Sequence, residues 1–257
     1  MRVAIIGTGN IAKSFCRALQ NSNVKIEIII GRSLLNTKNF AHDMNVSYSL
    51  NLNDLPRDLD IYFCCVNDDA LPLISKNFPF DLKKEQVIVH FSGSVPSTIF
   101  QSRFPSFGVV WPIESVHPNT DWNNMTIVAT YSSPLVQKSL RLILDPLTKN
   151  VIEKSDEKRV RMHLVAVILN NFTYHLISTT KQYCEENEIS FDAYSRILNT
   201  TFESIKDENS DMQTGPARRN DMVTIQHHME LLSETKALAH LYNCLSKSIL
   251  EKYENIR

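Results

Sequence analysis

The first part of the chain alternates short apolar, β-branched runs with stretches of helical spacing. The strand-like runs are RVAII, VKIEIII, DIYFCCV, QVIVHF, FGVV and MTIVAT. Strands that alternate with helices are typical of βαβ units, whose strands lie parallel in one sheet. We therefore predict an α/β fold that begins with a doubly wound, mainly parallel sheet over residues 1–150.

The second part of the chain has a different pattern. Apolar residues recur at helical spacing over roughly residues 156–187, 191–208 and 217–253. Residues 147–257 contain a single glycine, Gly215, and a single proline, Pro216. This scarcity of helix breakers predicts an all-helical C-terminal domain over residues 151–257, with the boundary near residue 150.

Composition narrows the function classes. The 257 residues are 43% hydrophobic and 21% charged with a net charge of -1, so no basic surface favours nucleic acid as a partner. The start of the chain has neither the cationic nor the apolar segment of a signal peptide, and no run suggests a membrane partner. Five cysteines without CxxC spacing are typical of reduced thiols, and a cytoplasmic location is expected.

The strongest local signal is RVAIIGTGNIAKSFCRAL, in which a strand ends at a glycine-rich turn and a helix begins. Gly7 would make the tight turn, Gly9 would let a pyrophosphate approach the backbone, and Ala12 would let helix and strand pack closely. Asn10 and Ile11 begin the helix, whose free N–H groups attract phosphates. The spacing therefore predicts a Rossmann-type dinucleotide site, with a ligand-free close-packed turn as the alternative.

The end of the second strand indicates which nicotinamide cofactor binds. NAD-selective proteins carry an acidic residue here, whereas this strand ends in Gly31, Arg32 and Ser33. Glu27 comes too early in the strand for that position. An arginine fork beside a hydroxyl suits a 2′-phosphate, which favours NADP(H) over NAD(H). A solvated loop arginine is the alternative.

Polar residues follow two later strands, where ligands of open α/β sheets bind. Val66, Asn67 and Asp68 follow DIYFCC and are expected to border the cofactor. His90, Ser92 and Gly93 belong to VIVHFSGS, where the histidine would move a proton and Ser92 with neighbouring N–H groups would bind substrate. A buried histidine beside a capping serine is an equally good interpretation.

A family resemblance rests on five segments in order: AIIGTGNIA, CCVNDDAL, VHFSGS, HLVAVILNNF and TGPARRNDMVTIQHHMELL. The chain resembles Rossmann-like proteins whose C-terminal half is a domain of unknown function. That group is similar to pyrroline-5-carboxylate reductase, deazaflavin-linked NADP reductases, prephenate dehydrogenase and other relatives of 6-phosphogluconate dehydrogenase. The resemblance implies a nicotinamide-dependent reductase or dehydrogenase fold with a helical dimerisation domain, and it implies no substrate.

The helix that contains HLVAVILNNF carries a second set of candidates. Its window from Met162 to Leu169 is apolar almost all round, which predicts a buried helix. Arg159, His163, Asn170 and Tyr174 are spaced to share one face of that helix. Related hydroxyacid dehydrogenases place a catalytic lysine four residues before an asparagine, a position taken here by Ala166.

His163 therefore becomes the candidate proton donor, with Asn170 beside it. A hydrogen-bond network at a dimer seam is the competing interpretation. The apolar helix also predicts a two-fold homodimer sealed by the C-terminal halves, because the remaining helical stretches are too few to cover it.

The segment TGPARRND is expected to reach the sheet edge, within one subunit or across the dimer. The resemblance to pyrroline-5-carboxylate reductase implies a substrate role for such a loop, with Thr214, Arg218 and Arg219 near a helix start that attracts anions. The alternative is a helix–helix turn whose arginines pair with acidic neighbours such as Glu208 or Asp211. His227 and His228 lack an HExxH pattern, so no metal is expected.

Taken together, these patterns predict an NADP(H)-dependent oxidoreductase that transfers a hydride to or from a small C=N or C=O substrate. The absent lysine keeps a second class open, namely a non-catalytic protein that senses NADP(H) or serves as a scaffold. A third class is a helical interaction protein whose nucleotide fold binds no cofactor. Trp111 and Trp122 flank a proline-containing connection to which the sequence assigns no chemistry.

Overall fold

The computed structural model of the chain describes residues 1–20, 22–205 and 211–254. These residues form two compact units, Met1–Ala166 and Val167–Arg257. The sequence pattern predicts a domain boundary near residue 150. The first compact unit extends further because the segment after residue 150 adds a strand to its sheet and a helix to its apolar face.

The first unit is built on an eight-stranded sheet. Its strands are β1 (Arg2–Ile6), β2 (Lys25–Ile30), β3 (Ser47–Ser49), β4 (Ile61–Cys64), β5 (Val87–His90), β6 (Phe107–Pro112), β7 (Ile127–Tyr131) and β8 (Val151–Glu153). They lie in the order β3-β2-β1-β4-β5-β6-β7-β8, and only the β6–β7 pair is antiparallel. The α/β prediction with a mainly parallel sheet is confirmed.

Helices cover both faces of this sheet. They are α1 (Asn10–Leu19), α2 (Leu34–Met44), α3 (Leu71–Asn77), α4 (Pro134–Leu144) and α5 (Asp156–Ala166). Phe15, Leu19 and Leu140 belong to the apolar layer on one face, while Phe78 and Phe100 belong to the layer on the other. Because side chains alternate along a strand, β5 sends Val87 and Val89 into the first layer and Ile88 into the second.

The described residues of the second unit form helices and turns without a strand. A π-helical segment, Val167–Phe172, precedes α6 (Thr173–Glu186), α7 (Ser195–Ser204), α8 (Pro216–Arg219), α9 (Met222–Leu231) and α10 (Lys236–Glu254). Gly215 has a φ of 100° at the start of α8, and the Asp221 side chain caps α9 by accepting a 3.1 Å hydrogen bond from Thr224 N. A short helix therefore begins directly after Gly215, and the next begins directly after Asp221.

The helix predicted to be buried is exposed in the single chain. Leu164 is 58% exposed, Leu169 is 68% exposed and Phe172 is 61% exposed. The prediction of burial is wrong for one copy of the chain, because an apolar surface all round a helix needs more neighbours than these residues have here.

The predicted polar face of the same helix is also interrupted. Arg159 is buried and His163 is half-buried, whereas Asn170 and Tyr174 are exposed. The π-helical segment changes the number of residues per turn, so spacings of seven and four residues no longer return to one face.

Candidate functional site

The glycine-rich turn between β1 and α1 contains two glycines with different surroundings. Gly7 has a φ of 123°, and a Cβ there would lie 2.0 Å from the carbonyl oxygen of Cys65. Gly9 precedes α1 as its N-cap, and a Cβ there would meet no atom within 4 Å. The space beside Gly9 and the free N–H groups of α1 is therefore open to a ligand.

A cleft of about 660 Å³ opens at this turn, along the carboxyl ends of β1, β2 and β4. Its lining includes six of the residues expected to bind a cofactor, namely Gly7, Gly9, Arg32, Ser33, Val66 and Asn67. Asn10, Ile11, Ala12 and Asp68 do not line it. Ala12 is fully buried, as expected for a residue that lets helix and strand pack closely, while Asn10 and Asp68 are exposed.

The charge of this cleft depends on the tip of β2. Arg32 is exposed there, and no carboxylate belongs to the lining in the described part of the chain. Ser33 caps α2 by accepting a hydrogen bond from Asn36 N, at 3.4 Å. Glu27 is held by Arg2 at 2.8 Å and Lys25 at 3.0 Å, away from the tip. The tip thus presents a cation and a hydroxyl.

Sequence reasoning missed the apolar wall of the cleft. Leu50, Leu52 and Ile74 line it together with Ala70. Leu50 follows β3, a three-residue strand whose sequence SYS has no apolar run, so periodicity gives no signal for this wall.

The loop after β5 is held by a buried arginine. Arg159 of α5 has no exposed surface, and its guanidinium donates to the carbonyl oxygens of Ser92 at 2.7 Å, Gly93 at 2.8 Å and Val95 at 2.7 Å. Asp156 accepts a 2.6 Å hydrogen bond from the same guanidinium. We call this arrangement the Arg159 clamp.

Asp156 extends the clamp to the far end of the loop. It accepts hydrogen bonds from Ser97 N at 2.9 Å and from Ser97 Oγ at 2.8 Å. Burial acts to raise the pKa of Asp156, but the hydrogen bonds from Ser97 and Arg159 outweigh it, and the pKa lies below its usual value. The carboxylate therefore stays ionised as the counter-charge of the arginine.

The Ser92 hydroxyl stabilises the loop after β5, to which Ser92 itself belongs. Its Oγ accepts hydrogen bonds from Val95 N at 3.0 Å and Ser94 N at 3.2 Å. Ser94 Oγ in turn donates to Asp68 at 2.5 Å, which ties the loop after β5 to the loop after β4. The expected Ser92 and Asp68 thus meet through Ser94, at the carboxyl edge of the sheet.

His90 is enclosed at the end of β5. Its side chain has no exposed surface, its ring packs edge-on to Phe100, and its Nδ1 accepts a 3.1 Å hydrogen bond from Ser92 N. Nε2 has no hydrogen-bond partner in the part of the chain that the structure describes, although the nearby Pro96 carbonyl acts to raise the pKa of His90. Burial and the charge of Arg159 prevail and lower the pKa to about 4. This placement favours the structural interpretation over proton transfer to a substrate.

His163 lies at the same edge with more access to solvent. Its ring is half-buried and packs edge-on to Trp111, with ring centroids 5.5 Å apart. A Cβ at Gly93 would lie 2.3 Å from His163 Cδ2, so the glycine makes room for the imidazole. His163 and Gly93, predicted separately, are therefore brought together.

The remaining candidates belong to the second unit. Asn170 and Arg219 are exposed, and Thr214 lines an apolar cavity of about 450 Å³ with His228 and Tyr242. Where Thr214, Arg218 and Arg219 lie relative to the cleft of the first unit stays a prediction.

Arg218 has partners of its own. Its guanidinium carbon lies 3.8 Å from the centre of the Tyr253 ring and its Nη2 lies 3.6 Å from Asp211. Tyr253 OH donates to Asp211 at 2.6 Å. This cluster contains the expected acidic neighbour Asp211, while Glu208 lies outside the described residues. In the described part of the chain no group of three or more His, Cys, Asp or Glu side chains is placed to hold a metal ion.

Two family models match the chain. Residues 2–92 match the family described as NADP oxidoreductase, coenzyme F420-dependent, and residues 126–249 match domain of unknown function DUF2520. The chain joins a Rossmann-type NADP oxidoreductase domain to a DUF2520 domain. This combination confirms the resemblance inferred from the five sequence segments. No curated protein matches the chain in sequence.

Solved structures share the fold along nearly the whole length. A Bacteroides fragilis protein named as a candidate NADP oxidoreductase is 25% identical with a TM-score of 0.87, over 97% of this chain and 98% of that one. An imine reductase from Myxococcus stipitatus in complex with NADP+ is 12% identical with a TM-score of 0.73, over 99% and 95%. 1-Pyrroline-5-carboxylate reductase from Streptococcus pyogenes is 17% identical with a TM-score of 0.60, over 99% and 98%.

Among the described helices, none combines the length and apolar character needed to cross a bilayer.

Proposed function

We propose that this protein is an NADP(H)-dependent oxidoreductase that transfers a hydride to or from a small C=N or C=O substrate. The observation that carries the proposal is the 660 Å³ cleft, which combines open space at Gly9 with an exposed arginine at the tip of β2. The match to an NADP oxidoreductase family over residues 2–92 supports it. When bound, the nicotinamide supplies or accepts the hydride.

The cleft residues fit the parts of NADP(H). The N-terminal N–H groups of α1, next to Gly9, hold the pyrophosphate, with Asn10 and Ile11 in the first turn. Arg32 forms charge-assisted hydrogen bonds to the 2′-phosphate, and Ser33 Oγ adds a hydroxyl. Val66, Asn67 and Asp68 border the ribose, since they follow the next strand along the sheet edge.

The proton that accompanies the hydride needs a donor that substrate can reach. His163 meets this requirement because it is half-buried beside Gly93, whereas His90 is enclosed. The role of Ser92 is to hold the loop whose backbone faces the substrate, through its bonds to Ser94 and Val95. Asn170 remains a candidate for orienting the substrate.

The substrate is a small molecule, and an anionic group on it would suit the loop that contains Thr214, Arg218 and Arg219. We propose that this loop approaches the sheet edge from within the subunit or across a homodimer. The 3.6 Å ion pair between Arg218 and Asp211 is long, so an anionic ligand can compete for the guanidinium.

A homodimer is part of the proposal. Several large apolar residues stay exposed close together in the helical segment 165–172, namely Val165, Ile168, Leu169 and Phe172. Covering such a surface contributes roughly 25 cal/mol per Å² of apolar area removed from water. A two-fold partner that presents the same residues would cover it.

The alternative function is a non-catalytic NADP(H) sensor or scaffold. The observation that favours it is Ala166, which takes the position of the lysine of related dehydrogenases and packs beside Trp111. An alanine can neither donate a proton nor orient a substrate.

Cofactor titration and turnover separate these functions. NADPH should bind better than NADH, and Gly9→Val should weaken NADPH binding at least about tenfold without unfolding the protein, because its side chain enters the ligand's space. NADPH oxidation with a member of a panel of imines and keto acids establishes the enzyme. Binding without turnover on that panel establishes the sensor, and an absence of cofactor binding rejects both.

A further inference from the structure

Trp111 carries a polar group at the carboxyl edge of the sheet. It lies near the end of β6, which runs parallel to β5, so it reaches the same edge as the loop after His90. The residue is 7% exposed and packs with Met162 and Ala166 of α5. The indole is thus fixed in place by its apolar surroundings.

The N–H of this indole has no hydrogen-bond partner among the described residues. Within residues 1–20, 22–205 and 211–254 no acceptor hydrogen-bonds to Trp111 Nε1, and the atom is not among the fully enclosed ones. Trp122, the other tryptophan, is 2% exposed and donates to Ser14 Oγ at 2.7 Å. Tryptophan usually finds a partner for its N–H when the ring is buried, and at Trp111 that partner has to come from outside the described residues.

Gly93 lets that donor lie next to His163. A Cβ at Gly93 would lie 2.8 Å from Trp111 Nε1 and 2.3 Å from His163 Cδ2. The missing side chain therefore lets the indole and the imidazole both pack against the backbone of Gly93, which places the indole N–H beside the imidazole. A neutral donor beside a histidine at this edge is suited to an acceptor oxygen next to a reacting carbon.

We infer that the Trp111 indole N–H donates a hydrogen bond to an acceptor oxygen of the substrate, a carbonyl or a carboxylate oxygen, beside His163. This assignment rests on the proposed function for the identity of the reacting molecule. It makes Trp111 a specificity-determining residue, because a substrate without an oxygen at that place leaves the N–H unpaired.

The test uses the two indole N–H signals of the full-length, ¹⁵N-labelled protein with NADP+ present. Trp122→Phe removes one signal and so assigns both. Acetate, acetamide and ethylammonium are then titrated as probes, since acetate carries a carboxylate, acetamide a neutral carbonyl and ethylammonium no acceptor. The signal of Trp122 serves as the internal control, because its N–H is already bonded to Ser14.

The expected result is a saturable downfield shift of the Trp111 signal with acetate or acetamide, while the Trp122 signal stays in place. A shift with acetate alone identifies a carboxylate, and a shift with both probes identifies a carbonyl oxygen. A Trp111 signal that moves with neither, or that moves equally with ethylammonium, overturns the inference. This readout does not depend on turnover, so it fails or succeeds separately from the proposed function.

A kinetic comparison adds a second measurement once the panel gives a substrate. Trp111→Phe keeps an aromatic ring but removes the N–H, and KM should rise about tenfold with little change in the Kd of NADPH. Trp122→Phe is the matched control and should leave KM unchanged. An unchanged KM in Trp111→Phe overturns the inference even if the signal shift is seen.

Discussion

Nη1 of Arg159 lies 2.7 Å from the carbonyl oxygen of Ser92, although the two residues are 67 positions apart in the chain. The contact joins α5 to the loop after β5 and completes a cluster in which the arginine charge is balanced by Asp156. A buried cation is stable when every contact is in place. Removing the arginine leaves the half-buried carboxylate of Asp156 and several carbonyl oxygens without their partner.

Removing the clamp should therefore cost much more stability than removing an exposed ion pair. Arg159→Ala is expected to lower the free energy of unfolding by about 3–5 kcal/mol. Arg161 lies two residues after Arg159 on the same helix and forms an exposed ion pair with Glu157. Arg161→Ala should therefore lower the free energy of unfolding by less than about 1 kcal/mol. Urea unfolding of both variants measures the difference, and equal losses would contradict the clamp.

Cofactor preference should depend on Arg32. Arg32→Ala is expected to lose about 1–3 kcal/mol of NADPH binding, because a charge-assisted contact to the 2′-phosphate is removed, while NADH binding stays nearly unchanged. Isothermal titration with both cofactors measures it. Lys38→Ala, an exposed cation further along α2, is the charge control. Identical affinities for NADPH and NADH in the unchanged protein would remove the basis of this prediction.

Stability should fall in mild acid because of His90. The unfolded chain takes up a proton below a pKa of 6.5, whereas burial and the charge of Arg159 lower the folded pKa to about 4. The free energy of unfolding therefore decreases as pH drops from 6.5 to 4, by up to about 3 kcal/mol from this residue.

The measurement is urea unfolding of the protein and of His90→Gln at pH 7, 5.5 and 4. The variant should lose most of the slope in this window, since glutamine does not titrate. His42→Gln, whose side chain is 89% exposed, should keep it. A wild-type free energy that stays flat between pH 6.5 and 4 would argue against the buried, neutral imidazole.

Self-association should respond to charge in the apolar helix. Leu169→Glu and Phe172→Glu are each expected to convert the dimer to monomer, because a carboxylate in a buried interface lacks a counter-charge. Leu142→Glu, on α4, changes a residue that is 63% exposed and should leave the dimer intact. Sedimentation velocity at micromolar concentration measures all three, and a monomeric unchanged protein would reject the dimer at once.

A substitution at Arg218 tests whether the loop that contains Thr214, Arg218 and Arg219 binds a ligand or only packs within its own unit. If Arg218 contacts an anionic group, Arg218→Ala should raise the Kd of the cofactor or the KM of the substrate about tenfold. Arg196→Ala, an exposed arginine of α7, should change neither. If only thermal stability falls, and Tyr253→Leu has the same effect, the cluster of Arg218, Tyr253 and Asp211 is structural.

The parallel sheet and the cleft at Gly7 and Gly9 were predictable because their signals are local. A strand, a glycine turn and a helix are adjacent in sequence, so the GTGNIA segment indicates its own geometry. The residues at the tip of β2 were predictable in the same way, because their place in the sheet follows from counting residues along one βαβ unit. β3 and β8 were missed because they are three-residue strands, one with the polar sequence SYS, that form by pairing with strands already in place.

The contacts around β5 were not predictable for a different reason. Strand alternation indicates that His90 and Val89 face opposite sides, but it does not indicate that Phe100 covers His90. Arg159 has the sequence signature of a solvated helix residue, and only partners far along the chain, such as Ser92 and Thr130, make its burial favourable. The exposure of the apolar helix was not predictable either, because an apolar pattern does not indicate which neighbours are available to cover it.

The two glycines of the first turn are constrained in different ways by their surroundings. Any side chain at Gly7 collides with Cys65, so a descendant that no longer bound nucleotide would still need glycine there in order to fold. A Cβ at Gly9 meets no atom of the described residues within 4 Å, so the steric argument for glycine there comes from an occupant of the cleft. Among diverging copies of this gene, loss of glycine at Gly9 with Gly7 retained would mark the lineages in which the cleft had lost the proposed cofactor.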